Sequence, residues 1–168
     1  MLNQVDAEKV IRDGSASGRF PGEIHEGVGW WVGACLVAVT RATRIAVAYD
    51  GRATSATFHR RLCRGAMNAQ HFACTVHDLH VAGEDKLLAA MKDLGGAPGA
   101  LVTTTAGNNG EMVRIAVYGR DGQVLGEDAG LARIRRLITE DRVPRPVNGQ
   151  ARGRIEHYRR HRPEGADQ

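Results

Sequence analysis

Small polar side chains follow a short apolar segment near the middle of this 168-residue chain. The segment runs from Gly99 to Val102, and the polar residues after it are Thr103, Thr104, Thr105, Asn108 and Asn109. This pattern predicts a buried strand that leads into a loop. Open α/β sheets bind phosphates at such an edge, because backbone N–H groups and short hydroxyl side chains approach the ligand closely there. The alternative is an ordinary turn in which residues 108–110 tolerate left-handed backbone angles.

Two arginines are candidates to join these polar residues. Arg52 follows the turn formed by Asp50 and Gly51, at the carboxyl end of a predicted strand. Arg114 lies in the strand predicted after the loop. We therefore expect a phosphate or ligand site formed by Thr103, Thr104, Thr105, Asn108, Asn109, Arg114 and Arg52.

The histidines and cysteines do not indicate a metal site in the sequence. His77 and His80 are three residues apart in a predicted strand, a spacing that suits metal binding only in a helix, and no third ligand is near them. The three cysteines lack C-x-x-C spacing and fall at apparent core positions, namely Cys35, Cys63 and Cys74. We expect buried thiols, with no disulfide and no metal.

Apolar periodicity and turn residues predict alternating helices and strands. A short helix over 3–12 and a flexible segment over 14–18 precede helix 23–40, strand 44–49 and a helix from Thr54 or Ser55 to about 70. Strand 72–79, a helix from 83, strands from 99 and over 112–118, and helix 129–138 follow. In the second long helix, His59 falls on the polar side with the arginines, opposite Cys63.

This order predicts the α/β class. Right-handed crossovers make the first three strands parallel, and the short loop over 105–111 makes the fourth antiparallel. The expected architecture is a three-layer α/β/α domain over residues 1–141 with a four-stranded mixed sheet. A Pro- and Arg-rich linker and a short basic helix or tail follow over 142–168.

Composition narrows the possible classes of protein. Hydrophobic residues make up 42% and charged residues 25%, and no apolar run approaches the roughly 20 residues that span a bilayer. The first residues do not resemble a signal peptide, so we expect a soluble cytoplasmic protein without membrane contact. Residues 142–162 contain seven arginines against Glu156. With Tyr158 as the sole aromatic residue there, nucleic-acid binding is not favoured.

Several local motifs resemble the first domain of the α-D-phosphohexomutases, the phosphoglucomutase and phosphomannomutase family. Residues 31–33 resemble the family's W-I-G, and residues 44–55 resemble R-V-A-V-G-x-D-G-R-x-S-S. Residues 78–79 resemble the start of D-L-G-x-V-P-T-P. Residues 102–109 stand in place of the catalytic loop I-T-A-S-H-N-P, and 113–115 in place of F-K-I. With 154–158, similar to the opening of the second domain, the resemblance covers roughly residues 14–160.

The resemblance implies a phosphoserine loop, which this sequence does not reproduce. In one register Thr105 replaces the serine and Ala106 the adjacent histidine; in the other, Gly107 and Asn108 do so. The arginine of the family's I-R-G motif falls on Ser17 or Ala16. The family's magnesium-binding D-G-D-x-D-R motif is absent, so we expect no cofactor unless other domains supply magnesium in trans.

The expected function follows from these departures. We expect a stand-alone domain I-like protein that is not a competent mutase alone. We expect it to act as a binding or regulatory protein that binds a phosphorylated sugar or associates with another protein. We also expect a homodimer that buries the surface covered by other domains in the family. The alternatives are a Thr105-dependent phosphotransferase or phosphatase and one part of a split phosphohexomutase. A nucleic-acid binder that uses the arginine-rich tail is the third hypothesis.

Overall fold

A computed structural model describes residues 5–69, 73–145 and 152–159, which form a seven-stranded sheet with helices on both faces. The elements in chain order are α1 (Ala7–Val10), β1 (Ile11–Arg12), β2 (Ser15–Phe20), α2 (Gly27–Thr40), β3 (Arg44–Tyr49), α3 (Ala53–Met67), β4 (Thr75–Val81), α4 (Glu84–Asp93), β5 (Gly99–Gly107) and β6 (Gly110–Tyr118), followed by a wide helical turn (Glu127–Leu131), α5 (Ala132–Thr139) and β7 (Arg154–His157). None of the helices among these residues is long and apolar enough to cross a membrane.

The strand order is β1-β2-β6-β5-β3-β4-β7. Strand β3 pairs in parallel with β4 and β5, and β6 pairs antiparallel with β5. The predicted α/β class and the directions of the four predicted strands are therefore confirmed. The predicted number of strands is wrong, because β1, β2 and β7 extend the sheet at both edges.

The amino-terminal segment is a strand rather than a flexible linker. All six residues of β2, from Ser15 to Phe20, pair antiparallel with β6. Gly14 adopts a φ of +71°, and its carbonyl accepts a hydrogen bond from the Val117 N–H at 3.0 Å. The predicted helix over 3–12 is confined to α1 in the described residues, with β1 after it.

The basic segment near the carboxyl end is also a strand. The sequence predicts a short basic helix or tail at this end of the chain, but β7 pairs in parallel with β4. Gly153 makes this approach possible, because a Cβ there would lie 1.8 Å from the Cys74 carbonyl oxygen. Tyr158 then donates a 2.8 Å hydrogen bond to Asp93 at the end of α4. Of the predicted linker and tail, residues 146–151 and 160–168 lie outside the described residues.

Helices α2 and α3 pack closely on one face of the sheet because glycines line their contact. A Cβ on Gly33 would lie 2.2 Å from the Leu62 carbonyl oxygen, and one on Gly65 would lie 2.2 Å from that of Trp30. Helix α4 covers part of the opposite face, where a smaller apolar cluster includes Leu87 and Met91. The two faces therefore offer different environments to side chains that alternate along each strand.

We predict that Gly33→Ala destabilises the protein although alanine favours helices. The gain in helix propensity is about 1 kcal/mol. Overpacking costs about 1–3 kcal/mol, and a Cβ 2.2 Å from a backbone oxygen belongs at the upper end, about 3 kcal/mol. Chemical denaturation should show a net loss of about 2 kcal/mol in the free energy of unfolding.

Gly83→Ala is the matched control, since a Cβ there meets no atom within 4 Å and the φ is −91°. This substitution should change the free energy of unfolding by no more than about 1 kcal/mol. A Gly33→Ala protein as stable as the wild type would contradict the close packing of α2 on α3.

Candidate functional site

The polar residues predicted as a loop lie in a β-hairpin. Strands β5 and β6 pair without interruption from Gly99 opposite Tyr118 to Gly107 opposite Gly110. The prediction of a loop over 105–111 is therefore wrong, and the connection consists of Asn108 and Asn109. Of residues 108–110, only Gly110 adopts the left-handed region, with a φ of +117°.

Thr104 fixes this hairpin to the amino-terminal turn of α3. Its hydroxyl lies 2.5 Å from that of Ser55, and both side chains are buried. Its backbone N–H donates a 2.8 Å hydrogen bond to Asp50 Oδ2. The other oxygen of Asp50 accepts from the Arg52 N–H at 3.0 Å. One carboxylate thus joins the end of β3, the start of α3 and the middle of the hairpin.

A second contact holds the outer part of the hairpin on the same side. The Thr54 hydroxyl donates a 2.7 Å hydrogen bond to Glu111 Oε1. Glu111 is opposite Ala106, one pair before the end of the ladder. The side of the hairpin that faces α3 is therefore engaged by the protein's own side chains.

The other side of the hairpin carries six side chains that we call the open strip. Cross-strand partners share a face of a sheet. The ladder places Ser17 opposite Arg114 and Arg114 opposite Thr103, and it places Arg19 opposite Met112 and Met112 opposite Thr105. Alternation along β5 puts both rows on the face opposite Thr104. The open strip consists of Ser17, Arg19, Thr103, Thr105, Met112 and Arg114; Arg19, Thr105, Met112 and Arg114 are exposed.

The structure separates the predicted site residues into groups. Thr103, Thr105 and Arg114 share the open strip, whereas Thr104 is buried on the other face. Asn108 and Asn109 are exposed at the hairpin turn. Arg52 is exposed and precedes the first residue of α3.

The sequence analysis does not place Arg19 on the same face as Arg114, where the strand pairing puts it. The alternation of Ser15, Ser17 and Arg19 with Ala16, Gly18 and Phe20 is the signal that could have shown it, because this is the two-residue period of a half-exposed strand. Serine and glycine in the segment favoured a flexible linker instead. The strand therefore adds a second guanidinium to the face that carries Arg114.

A separate cluster lies on the α3 side, around the bulged end of β4. His59 Nε2 is 2.9 Å from Asp78 Oδ1 and 3.6 Å from Cys63 Sγ. The prediction that His59 lies on the polar face of α3 is wrong, because its side chain is buried. Asp78 Oδ1 also accepts a 2.8 Å hydrogen bond from the His80 N–H. His77 points away from this cluster and lines a different cleft with Glu156.

The electrostatics of this cluster favour an ionised Asp78 beside a protonated thiol. Burial alone would raise the pKa of Asp78, but the hydrogen bonds and charges of His59 and His80 outweigh it and lower the pKa below its usual value. Burial, with a smaller contribution from Asp78, raises the pKa of Cys63 far above its usual range. Burial likewise raises the pKa of Cys35 and Cys74 to about 12. The predicted burial of all three thiols is confirmed, and all three are free.

The comparisons with known proteins agree with this architecture. The family model for phosphoglucomutase/phosphomannomutase, alpha/beta/alpha domain I, matches residues 11–144. The chain belongs to this family. A phosphomannomutase of Klebsiella pneumoniae is 26% identical over 133 residues, which cover 79% of this chain and 82% of that protein.

Two solved structures of phosphohexomutases share the fold. A phosphoglucomutase/phosphomannomutase family protein from Burkholderia thailandensis superimposes with a TM-score of 0.73 at 16% identity, over 92% of this chain and 34% of that one. A putative phosphomannomutase from Thermus thermophilus superimposes with a TM-score of 0.67 at 17% identity, over 88% of this chain and 33% of that one. The chain spans about a third of the length of these two structures.

The β5–β6 hairpin contains the residues that stand in place of the family's catalytic loop. Thr105 and Gly107, the two residues that could stand in place of the serine, both lie in the β5–β6 ladder. Among the described residues, the group of His, Cys and acidic side chains close enough to hold a metal ion lies around Asp78 and not beside the hairpin. Asp50 accepts two backbone hydrogen bonds, and Glu111 accepts one from Thr54.

We predict that the Ser55 and Thr104 hydroxyls are energetically coupled. Ser55→Ala leaves the buried Thr104 hydroxyl without this partner, at a cost of about 1–3 kcal/mol. Thr104→Val should cost a similar amount. The loss in the free energy of unfolding of the double variant should be clearly smaller than the sum of the losses of the two single variants.

Urea denaturation of the four proteins measures this coupling. Thr57→Ala is the control on the same helix, since Thr57 donates only a long 3.4 Å bond to Ala53. It should change stability by less than about 0.5 kcal/mol. If the stability losses of the Ser55 and Thr104 variants simply add in the double variant, the pair does not hold the hairpin to α3.

Proposed function

We propose that this phosphohexomutase domain binds a phosphorylated sugar on the open strip and carries no phosphoryl group on its hairpin. The observation that supports this proposal most is the uninterrupted β5–β6 ladder. It leaves no loop where the family carries its nucleophile. At the same time it aligns Arg114, Thr103 and Ser17 in one row across three strands.

The open strip has the donors that a phosphate monoester requires. Arg114 and Arg19 supply charged N–H groups, which make stronger hydrogen bonds to phosphate oxygens than neutral donors do. Ser17, Thr103 and Thr105 add hydroxyl groups within the same two rows. Met112, which is 43% exposed, offers an apolar surface for the face of a sugar ring. The strip is flat, so we expect weak binding.

The surroundings of Thr105 argue against phosphoryl transfer through it. A threonine hydroxyl is a weak nucleophile unless an adjacent base activates it. Its cross-strand partner is Met112, and its flanking residues are Thr104, which bonds Ser55, and Ala106. Phosphoryl transfer also depends on charge neutralisation, for which the family uses magnesium.

The other functional expectations from the sequence stay predictions. A regulatory role, a homodimer, a cytoplasmic location and completion of an active site in trans are each compatible with an exposed strip. The Thr105-dependent enzyme and the nucleic-acid binder also stay alternatives. The open strip favours the anion-binding function, because its two arginines lie beside three hydroxyl groups on one face.

A titration followed by NMR tests the proposal. Mannose 6-phosphate and glucose 6-phosphate should shift the amide signals of β2, β5 and β6 around the open strip, and unphosphorylated mannose should not. Arg114→Ala should weaken binding about tenfold, which corresponds to about 1.4 kcal/mol and to one charge-assisted hydrogen bond.

Arg133→Ala is the control, because Arg133 is an exposed arginine on α5 and its removal changes the net charge equally. It should leave the affinity unchanged. Equal affinity of the Arg114→Ala and wild-type proteins, or shifts confined to other parts of the fold, would contradict a site on the open strip.

A further inference from the structure

The cluster around Asp78 brings together three side chains that bind transition metals. His59 and Cys63 are four residues apart on α3, so they lie on the same side of the helix one turn apart. Asp78 reaches them from β4. One ligand atom from each of these three buried residues lies within 4.8 Å of the others.

In this cluster, two neighbouring side chains compete for a hydrogen bond with the same nitrogen atom of His59. His59 Nε2 is within reach of both Asp78 Oδ1 and Cys63 Sγ. If Nε2 carries the proton, it donates to the carboxylate and cannot accept from the thiol. The thiol then lacks an acceptor at this nitrogen. A cation between the three atoms would use a lone pair from each.

Two of the three distances between the ligand atoms are close to those of a tetrahedral zinc site, and the third, between Cys63 and Asp78, is within 4.8 Å. Zinc bonds of about 2.3 Å to sulfur and 2.0–2.2 Å to nitrogen or oxygen place neighbouring ligand atoms about 3.4–3.6 Å apart. The separation of 3.6 Å between Cys63 Sγ and His59 Nε2 meets this condition. The 2.9 Å between Nε2 and Asp78 Oδ1 must open by about half an ångström.

The fourth ligand position faces a cleft. A cleft of about 340 Å³ is lined by His59, Cys63, Asp78 and His80. His80 Nδ1 lies 3.6 Å from Asp78 Oδ2, and half of its side chain is exposed. Its ring packs against that of His157 on β7, with centroids 4.7 Å apart. A further imidazole or a water molecule can therefore complete four ligands.

The charges balance in this arrangement. A thiolate and a carboxylate together neutralise a divalent ion, so the filled site buries no net charge. This matters because Arg60 and Arg64 line the same cleft and would repel an uncompensated cation. Sulfur and imidazole ligands select zinc over magnesium or calcium, which prefer oxygen.

We propose that His59, Cys63 and Asp78 form a zinc-binding site with its open position beside His80. This site is independent of the open strip, because it lies on the α3 face of the sheet. The proposal departs from the sequence expectation of no metal, which rests on the spacing of His77 and His80 and on the lack of C-x-x-C spacing among the cysteines. Binding releases the Cys63 proton to solvent as the zinc–thiolate bond forms.

Cobalt(II) is the spectroscopic probe for this site in the full chain. Anaerobic titration of the reduced protein with Co²⁺ should give intense visible bands, typical of a tetrahedral site, and a near-ultraviolet thiolate-to-cobalt band. These bands should saturate at one equivalent of Co²⁺. Zinc should displace the cobalt. Cys63→Ser should remove the thiolate band, and His59→Gln should weaken Co²⁺ binding at least tenfold.

Two variants control for the loss of a buried thiol and of a histidine. Cys35→Ser removes an equally buried helical cysteine, and His77→Gln removes a histidine of β4 that lines another cleft. Both should keep the cobalt spectrum. A thiolate band that survives Cys63→Ser, or one lost equally in Cys35→Ser, would overturn the proposal.

X-ray absorption spectroscopy of the zinc-loaded wild-type protein tests the proposed zinc ligands even if a variant fails to fold. We expect one sulfur and three nitrogen or oxygen ligands around zinc. A six-coordinate shell without sulfur, or failure of the wild-type protein to retain one equivalent of zinc after desalting, would overturn the site. Neither result would affect the proposed binding of sugar phosphates on the opposite face.

Discussion

The Asp50 carboxylate is the interaction on which the hairpin depends. It accepts one hydrogen bond from the Arg52 N–H and another from the Thr104 N–H. A charged acceptor with two backbone donors is among the stronger polar contacts available to a protein. The buried pair of Thr104 and Ser55 lies beside it, so the start of α3 and the middle of β5 are fixed together. The part of the hairpin beyond Thr104 is held in place by this junction, by the hydrogen bond from Thr54 to Glu111 and by the pairing of β6 with β2.

The same junction sets the direction of the side chains on which the proposed binding face depends. Because Thr104 is used on the α3 side, alternation turns Thr103 and Thr105 to the other side. The short turn at Asn108 and Asn109 keeps β6 in register, and this register sets Arg114 between Ser17 and Thr103. The open strip therefore presents its hydrogen-bond donors on the face away from α3, and the proposed binding of a phosphate group rests on this arrangement.

The sequence predicted the parts of the fold that show strong periodicity. The helices and strands from residue 23 to 67, and the parallel arrangement of β3, β4 and β5, follow from apolar spacing and turn residues. The sequence does not indicate β2 because four of its six residues are serine, glycine or arginine, and it does not indicate β7 because Ile155 is the only apolar residue among its four. The pairing of both strands depends on distant partners in β6 and β4. The hairpin was mistaken for a loop, although threonine is favoured in strands when a β-branched neighbour lies opposite. The cluster of His59, Cys63 and Asp78 needs the α3–β4 crossover, so local spacing shows only its helical pair.

Amide hydrogen exchange across β5 and β6, followed by NMR, tests the central claim most directly. If the hairpin is a continuous ladder fixed at Thr104, the amides that donate across it should exchange slowly out to the last pairs before the turn. The amides of the turn residues Asn108 and Asn109 should exchange rapidly. Rapid exchange that begins at Thr103 would mean that this segment is a loop, and the account of the hairpin and its open strip would be wrong.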